Sequence, residues 1–404
     1  MSGIKYRKKH NRISSIIWPI LFVAILVSSF IGGVPDTGNL YYVVFIINFF
    51  LMVFKRKKTE MNIMWFLLFL PLTIYFGQPD PLFKSWQRLG AFSLIMISVS
   101  PLIQNESSRR FRSTCLRIVL ISSVIIGIIS FAFFFLGINY MERYDSTEYI
   151  ERVGMFGGLT KHSMILGPVA SLGAIYCLFQ LLTTKKRYYL LFAIPCMGSV
   201  LFAASRLAFA SMIAGMVVLL LIYSKRKSYF LKVLLMVSAV LFVTYPLFEK
   251  GMERIEQKQQ NNIESRGKAL SSRDLKWEHR LEEFRSSPIY GIGFCSIDTR
   301  YVSEYDEGNG GVEPGSSWLA VLSMTGVFGM LLFIGIIVKG VYIALKTKCD
   351  ESMLRFALLM FFLVHFIGEG YIFSAGGVLC VYAWLVIGCC YDLKYQFGQS
   401  NNLR

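Results

Sequence analysis

Residues 118–138 read IVLISSVIIGIISFAFFFLGI, a run without a single charged side chain. A helix needs about 20 apolar residues to cross the hydrocarbon core of a bilayer, and this run is long enough. Arg109, Arg110, Arg112 and Arg117 lie just before it. Since basic residues collect at the cytoplasmic ends of membrane helices, the run predicts a span that starts on the cytoplasmic side.

The same alternation of apolar run and short charged connector continues along the whole chain. Its 404 residues are 54% hydrophobic and only 17% charged, whereas about 25% of a soluble domain is charged. The pattern therefore predicts an all-α integral membrane protein with about twelve transmembrane helices. The predicted spans are 13–32, 38–54, 61–77, 88–104, 118–138, 163–182, 188–204, 206–223, 230–248, 316–345, 354–372 and 374–392.

The formal net charge of +17 is compatible with binding to nucleic acid or to anionic lipid, and the positions of the charges decide between them. Basic clusters occur at every second connector, which is the positive-inside pattern and not a nucleic-acid patch. We therefore expect a multi-pass protein of a bacterial inner membrane with both termini in the cytoplasm. The clusters are Lys5 to Arg12, Lys55 to Lys58, Arg109 to Arg112, Lys185 to Arg187, Lys225 to Lys227 and Lys346 to Lys348.

One connector is far longer than the others. Residues 1–248 carry predicted helices 1 to 9, residues 249–315 form a large extracytoplasmic loop, and residues 316–404 carry helices 10 to 12 and a cytoplasmic tail. We expect the loop to be helical in part between Glu253 and Lys276, with turns in the segment 287–293. A loop of this length between membrane helices usually carries function.

Ionisable residues are scarce in the apolar runs, and Arg206 is the clearest of them. It lies at the predicted outer face, in the short connection between two runs. A guanidinium in this position needs an anionic partner and marks a candidate site. The alternative is a structural arginine that reaches up to the membrane interface.

His365 and Glu369 are four residues apart in a predicted span, in its outer half, so they would share one helical face. They are candidates for proton transfer, and the alternative is a polar pair that joins two helices. No ladder of acidic residues crosses the predicted membrane depth. Because ion-coupled transporters usually need such residues, this pattern counts against a transporter.

The predicted outer loops are rich in arginine, which is well suited to phosphate recognition because its planar fork donates two hydrogen bonds at once. For any one of them a solvated loop surface is the alternative explanation. The sequence has no nucleotide-binding, hydrolase or metal-site motif, so we expect neither a metal nor a cofactor. The arginines are Arg143, Arg152, Arg254, Arg266, Arg273, Arg280, Arg285 and Arg300.

Four segments together resemble the O-antigen polymerase and O-antigen ligase superfamily, whose members join lipid-diphosphate-linked glycans at the outer face of the inner membrane. The resemblance covers roughly residues 118–392. In ligase-type members the last segment begins with His-Asn or a close variant, whereas the corresponding stretch here is Glu313-Pro314-Gly315-Ser316-Ser317, without a histidine. The segments are Arg152 to Gly158, Ser205-Arg206, Trp277 with Phe284 to Gly293, and Gly315 to Leu319 with Thr325 to Gly329.

The resemblance implies a metal-independent glycosyltransferase, and the missing histidine favours a polymerase over a ligase. A lipid-linked oligosaccharide transporter is the alternative from another class. The implied partners are a polyprenyl-diphosphate-linked donor and acceptor and membrane lipid, with a chain-length regulator and a flippase as further candidates. The implied site consists of Arg206, Arg152 and one of Arg273, Arg280 and Arg285 as diphosphate ligands, with Glu313 as the first candidate base and Glu369, supported by His365, as the second.

Overall fold

The computed structural model describes residues 16–35, 37–38, 40–53, 60–77, 84–141, 156–223, 273–298, 300, 315–347 and 349–401. These residues are mostly helical, and a helix overlaps every predicted span except 230–248, which lies outside them. The helices are α1 Ile16–Ser28, α2 Leu40–Val53, α3 Met64–Phe76, α4 Ser85–Val99, α5 Glu106–Leu136, α6 Ser163–Thr184, α7 Tyr189–Phe202, α8 Arg206–Tyr223, α9 Arg273–Ser286, α10 Ser317–Lys346, α11 Asp350–His365 and α12 Val378–Asn401. Two short strands, β1 Glu60–Met61 and β2 Ile103–Gln104, pair antiparallel.

Five of these helices, α5, α6, α8, α10 and α12, are long and apolar enough to cross a membrane. The helices α1, α2, α3 and α7 are shorter and also apolar. Large hydrophobic side chains are exposed along the outside of the bundle, for example Leu331 and Val338 on α10. A water-soluble protein rarely exposes so much apolar surface, so these faces contact lipid.

The helix α5 begins twelve residues before the predicted start of its span, inside the basic connector. Its N-cap is Asn105, whose side chain accepts a hydrogen bond from Ser108 N, and the Ser108 hydroxyl accepts from Asn105 N in return. This capping box satisfies two helix-terminal N–H groups, so the helix starts where the cap is and not where the apolar run begins.

The helices α5, α6, α7, α8 and α11 pack closely because small residues line their contacts. The Ser199 hydroxyl of α7 donates to the carbonyl of Gly127 in α5 at 2.7 Å. A Cβ atom on Gly215 of α8 would lie 3.1 Å from the carbonyl oxygen of Ala357 in α11. Without a side chain at such positions the backbones can approach, which is the usual way in which membrane helices associate.

A second group of helices, α3, α4, α10 and α12, surrounds an aromatic core. Phe66, Phe92 and Trp384 are fully buried, with the Phe66 and Trp384 ring centroids 6.1 Å apart. The Trp384 indole N–H donates to the carbonyl of Ile372 at 3.1 Å. This bond ties α12 to the turn before it, residues 366–377, which we call the outer turn.

The helix α10 is broken at Gly326, where φ is 63° and ψ is −167°. The break frees carbonyl groups that an intact helix would use, and residues 287–298, which we call the docked segment, supply the missing donors. Backbone N–H and C=O groups that are buried inside a membrane helix bundle must find such partners. The bonds are Ile292 N to Ser323 O at 2.9 Å, Gly293 N to Met324 O at 3.1 Å and, in return, Val327 N to Pro288 O at 2.8 Å.

At the opposite end of the bundle, Arg112 of α5 is completely buried and forms an ion pair with Asp392 of α12. Its Nη2 lies 2.6 Å from Asp392 Oδ1 and its Nε 2.9 Å from Oδ2. Nη1 donates to the carbonyls of Ser100 and Ile103, both at 3.0 Å. The basic cluster at residues 109–112 therefore contains a structural arginine in addition to the exposed Arg110.

We expect Asp392→Asn to destabilise the fold by about 3–5 kcal/mol, because it leaves the buried Arg112 charge without its counter-ion. The matched control is Glu106→Gln, which breaks the solvent-exposed pair with Arg110 and should cost at most about 1 kcal/mol. Thermal unfolding of both purified variants in detergent measures the difference. Equal shifts for the two variants would contradict a buried, stabilising role for Arg112 and Asp392.

Candidate functional site

The start of α10 and the outer turn meet at one end of the bundle, which the sequence predicts to be extracytoplasmic and which we call the outer end. Ser317 N donates to the carbonyls of Phe366 and Glu369, both at 2.9 Å. The Ser317 hydroxyl donates to the Glu369 carbonyl at 2.5 Å and accepts from Tyr371 N at 3.1 Å. Ser317 thus fixes the main chain on both sides of residue 370.

The prediction that His365 and Glu369 share a helical face is wrong, because α11 ends at His365. Glycines at positions 368 and 370 flank Glu369 and disfavour a continued helix. The Glu369 carbonyl is captured by Ser317, and the residue is 7% exposed. Glu369 therefore belongs to the outer turn, and its main chain lies beside the N-terminus of α10.

His365 is buried and oriented by two aromatic neighbours. Its Nδ1 lies 2.9 Å from the hydroxyl of Tyr371, and its ring stacks on Phe361 with the centroids 5.4 Å apart. Tyr371 belongs to the outer turn, so its contact with Nδ1 ties His365 to that turn. Glu369, the second candidate base, and His365, its predicted support, are therefore connected through the outer turn and Tyr371.

Arg280 lies in α9 and is 4% exposed. Its Nη1 is 2.7 Å from Glu283 Oε2 and 3.3 Å from the hydroxyl of Ser323, next to the break in α10. Glu283 Oε1 also accepts a bond from Asp298 N at 3.0 Å. Because a guanidinium has five N–H donors and both of these bonds use Nη1, Arg280 can be anchored and still bind an anion.

The other predicted arginines are placed differently. Arg285 has an exposed side chain in an ion pair with Glu282, so it is less suited than Arg280 to hold a ligand in a water-poor site. Arg273 is the first residue of α9, and its side chain lies outside the described part of the structure. Arg152 and Glu313 also lie outside the described residues.

Arg206 is the first residue of α8 and is exposed. The preceding turn is tight, since Ala204 has a φ of 50°, and the Ser205 hydroxyl accepts a bond from Ala208 N at 3.4 Å. A cation in the first turn opposes the helix dipole. Helix stability alone therefore does not account for an arginine here.

The packing of α8 on α11 gives the level of Arg206 along the bundle. Gly215 lies against Ala357, and the two helices run in opposite directions. Moving nine residues outward from this contact reaches Arg206 at the start of α8 and Phe366, the first residue after α11, each about 13 Å away. Arg206 is therefore at the level of His365 and the outer turn.

Arg88 is a further arginine at the start of a helix, beyond those predicted from the sequence to bind phosphate. It lies in the first turn of α4 and is half-buried. The signal was present in the sequence, since Arg88 stands at the outer start of an apolar run, as Arg206 does. Within the described residues, no group of three or more His, Cys, Asp and Glu side chains is placed to hold a metal ion.

Arg206, His365 and the outer turn thus lie at one level of the bundle, and Arg280 is held beside the break in α10. Residues 188–334 match the family model described as O-antigen ligase. This segment runs from α7 through the break in α10, and the match confirms the resemblance to the O-antigen polymerase and ligase superfamily. No curated protein matches the chain.

Proposed function

We propose that this chain is a polymerase. The family match of its central segment supports a membrane glycan enzyme of the O-antigen ligase and polymerase type. The polymerase would join polyprenyl-diphosphate-linked oligosaccharide repeats into a surface polysaccharide at the outer face of the bacterial inner membrane. Both termini would be cytoplasmic, and residues 249–315 would form the extracytoplasmic loop. The observation that carries the proposal is the collection of Arg206, Arg280, Glu369 and His365 at the outer end.

The reaction breaks the bond between the anomeric carbon of the donor glycan and its diphosphate. A hydroxyl of the acceptor sugar forms the new glycosidic bond, and its proton passes to a base. The leaving polyprenyl diphosphate gains negative charge as its bond breaks, so fixed cations stabilise the transition state. In this proposal Arg206 and Arg280, with Arg152, bind the diphosphate, and they can do so without a metal ion.

The base is proposed to be a carboxylate that is close to the acceptor hydroxyl. Glu313 remains the first candidate, because it takes the place of the histidine motif of ligase-type members. Glu369 is the second, and its support is structural: it is fixed by Ser317 and lies in the same turn as Tyr371, which binds His365.

We expect Glu313→Gln to slow turnover by about 10²–10⁴-fold while substrate affinity changes little, since a general base contributes in this range to rate and not to binding. Polymer formation and donor binding are measured side by side for Glu313→Gln and Glu369→Gln. Glu106→Gln, at the other end of the bundle, is the matched control. Near-normal turnover in Glu313→Gln with an inactive Glu369→Gln would assign the base to Glu369.

A ligase that transfers glycan to a lipid or protein acceptor is the second candidate, and the description of the matching family favours it. The glycans of a deletion strain separate the two. Loss of long chains, with single repeats still attached to the final acceptor, supports a polymerase. Loss of all attached glycan supports a ligase, and repeats that accumulate on the cytoplasmic side would indicate a transporter.

A further inference from the structure

Arg280 uses only one corner of its guanidinium for the contacts that hold it. Both of its hydrogen bonds leave from Nη1, to Glu283 Oε2 at 2.7 Å and to the Ser323 hydroxyl at 3.3 Å. Its Nε and Nη2 donate to no residue that the structure describes, although the side chain is only 4% exposed. Two donors in so confined a place favour a ligand that accepts from both of them.

Arg112 shows how the same fold satisfies a structural arginine. It clasps Asp392 with the side of the guanidinium that carries Nε and Nη2, at 2.9 and 2.6 Å, and its Nη1 donates to two carbonyls. Arg300 clasps Asp298 with the same side, at 2.9 and 2.5 Å. This side is the planar fork that matches a pair of carboxylate or phosphate oxygens. The contacts of Arg280 leave the fork unused.

Glu283 is the residue that produces this arrangement. It is 1% exposed and lies three residues after Arg280, on the same face of α9. Its Oε2 binds Nη1 of Arg280, and its Oε1 accepts from Asp298 N at 3.0 Å. A carboxylate that is held at both oxygens does not rotate freely toward the fork. Because a buried guanidinium without a counter-charge is costly, Glu283 also stabilises Arg280 before a ligand binds.

We propose that Glu283 is a positioning residue for the donor diphosphate: it holds Arg280 by Nη1, so that the fork of Nε and Nη2 is presented to two phosphate oxygens. This role rests on the proposed function and adds to it the orientation in which Arg280 binds. The pair of Arg280 and Glu283 is neutral as a whole, so the fork acts through directed hydrogen bonds more than through net charge. Ser323 fixes the same corner of the guanidinium from the break in α10.

The variant Glu283→Gln separates orientation from charge, because the two predict opposite changes. Glutamine removes a negative charge close to the diphosphate, so by charge alone the variant would bind the diphosphate more tightly. Glutamine also has one acceptor oxygen where the carboxylate uses two, so it cannot hold both Arg280 and Asp298 N in the same geometry. We therefore expect Glu283→Gln to lose about 5–20-fold in diphosphate affinity, within the range of coupling between contacting residues.

The test uses the purified full chain in lipid nanodiscs, with geranylgeranyl diphosphate and the uncharged geranylgeraniol as probes. Arg280→Gln should lose about 10–100-fold in diphosphate affinity, the value of one charge-assisted pair of bonds. Adding Glu283→Gln to Arg280→Gln should cause no further loss, since no fork is left to orient. Glu282→Gln is the matched control and should bind like the wild type, because Glu282 forms an exposed pair with Arg285 at the same spacing of three residues.

A loss of diphosphate affinity in Glu283→Gln that requires Arg280 and spares geranylgeraniol supports the proposal. Unchanged or tighter diphosphate binding overturns it. The same loss with and without Arg280 also overturns it, because a loosened docked segment would act in both backgrounds. Should Arg280→Gln not fold, the ratio of the two affinities in Glu283→Gln decides alone, since a loosened fold lowers both.

The variant Arg280→Gln separates failure of this role from failure of the proposed function. If it loses diphosphate binding while Glu283→Gln does not, only the role of Glu283 fails. If it binds the diphosphate like the wild type, or the wild type does not prefer the diphosphate to geranylgeraniol, the place of Arg280 in the diphosphate site fails together with it.

Discussion

Replacing Arg206 with alanine is expected to abolish polymer formation, with a loss of about 10²–10³-fold or more, while the protein still inserts and accumulates. Removing one donor that stabilises developing negative charge has this effect in other enzymes. The side chain is exposed at the outer end of α8 and opposes the helix dipole there. Its removal should therefore cost activity and not stability.

Arg206→Lys distinguishes the two explanations of this residue. Lysine keeps the charge but loses the planar fork that binds two oxygens at once, so a diphosphate ligand predicts strong impairment. A structural arginine that reaches to the membrane interface predicts full rescue, because lysine does this equally well. Arg110→Lys, at the exposed end of α5, is the matched control. Wild-type polymer length and amount from Arg206→Lys would remove Arg206 from the site.

Gly326→Ala is expected to destabilise the fold by about 2–6 kcal/mol, as the sum of backbone strain and overpacking. The residue has a φ of 63°, and a Cβ atom there would overlap the backbone at Ile289. Separation of α10 from the docked segment would also release Ser323, which binds Arg280. Loss of the glycan product should therefore accompany the loss of stability.

Gly335→Ala is the control for this change, because it lies in the same helix and a Cβ atom there meets nothing within 4 Å. Alanine is the better helix former, so this variant should be as stable as the wild type or more so. Thermal unfolding followed by size-exclusion chromatography compares the two. A Gly326→Ala protein as stable as Gly335→Ala would contradict the account of the break in α10.

Much of the fold follows from the sequence, because long apolar runs leave a membrane helix few alternatives. Helix ends were less predictable, since they depend on caps and on distant partners. The start of α5 is set by Asn105 and Ser108, and the end of α11 by the capture of Glu369 at Ser317. A hydrophobicity pattern contains neither of these contacts.

The site was predictable in composition but not in arrangement. The segment with Pro288, Gly291 and Gly293 supports the family resemblance in the sequence. Its hydrogen bonds to the broken helix α10, however, are visible only in the three-dimensional structure. A Cβ atom on Gly291 would overlap the backbone at Met324.

The most direct measurement of the central claim is the product formed by the purified chain in proteoliposomes that contain only the polyprenyl-diphosphate-linked repeat unit. We expect a ladder of glycans with increasing numbers of repeats, one polyprenyl diphosphate released for each bond formed, and no ladder with Arg206→Ala. Unextended repeats after incubation with stable, correctly inserted wild-type protein would contradict it.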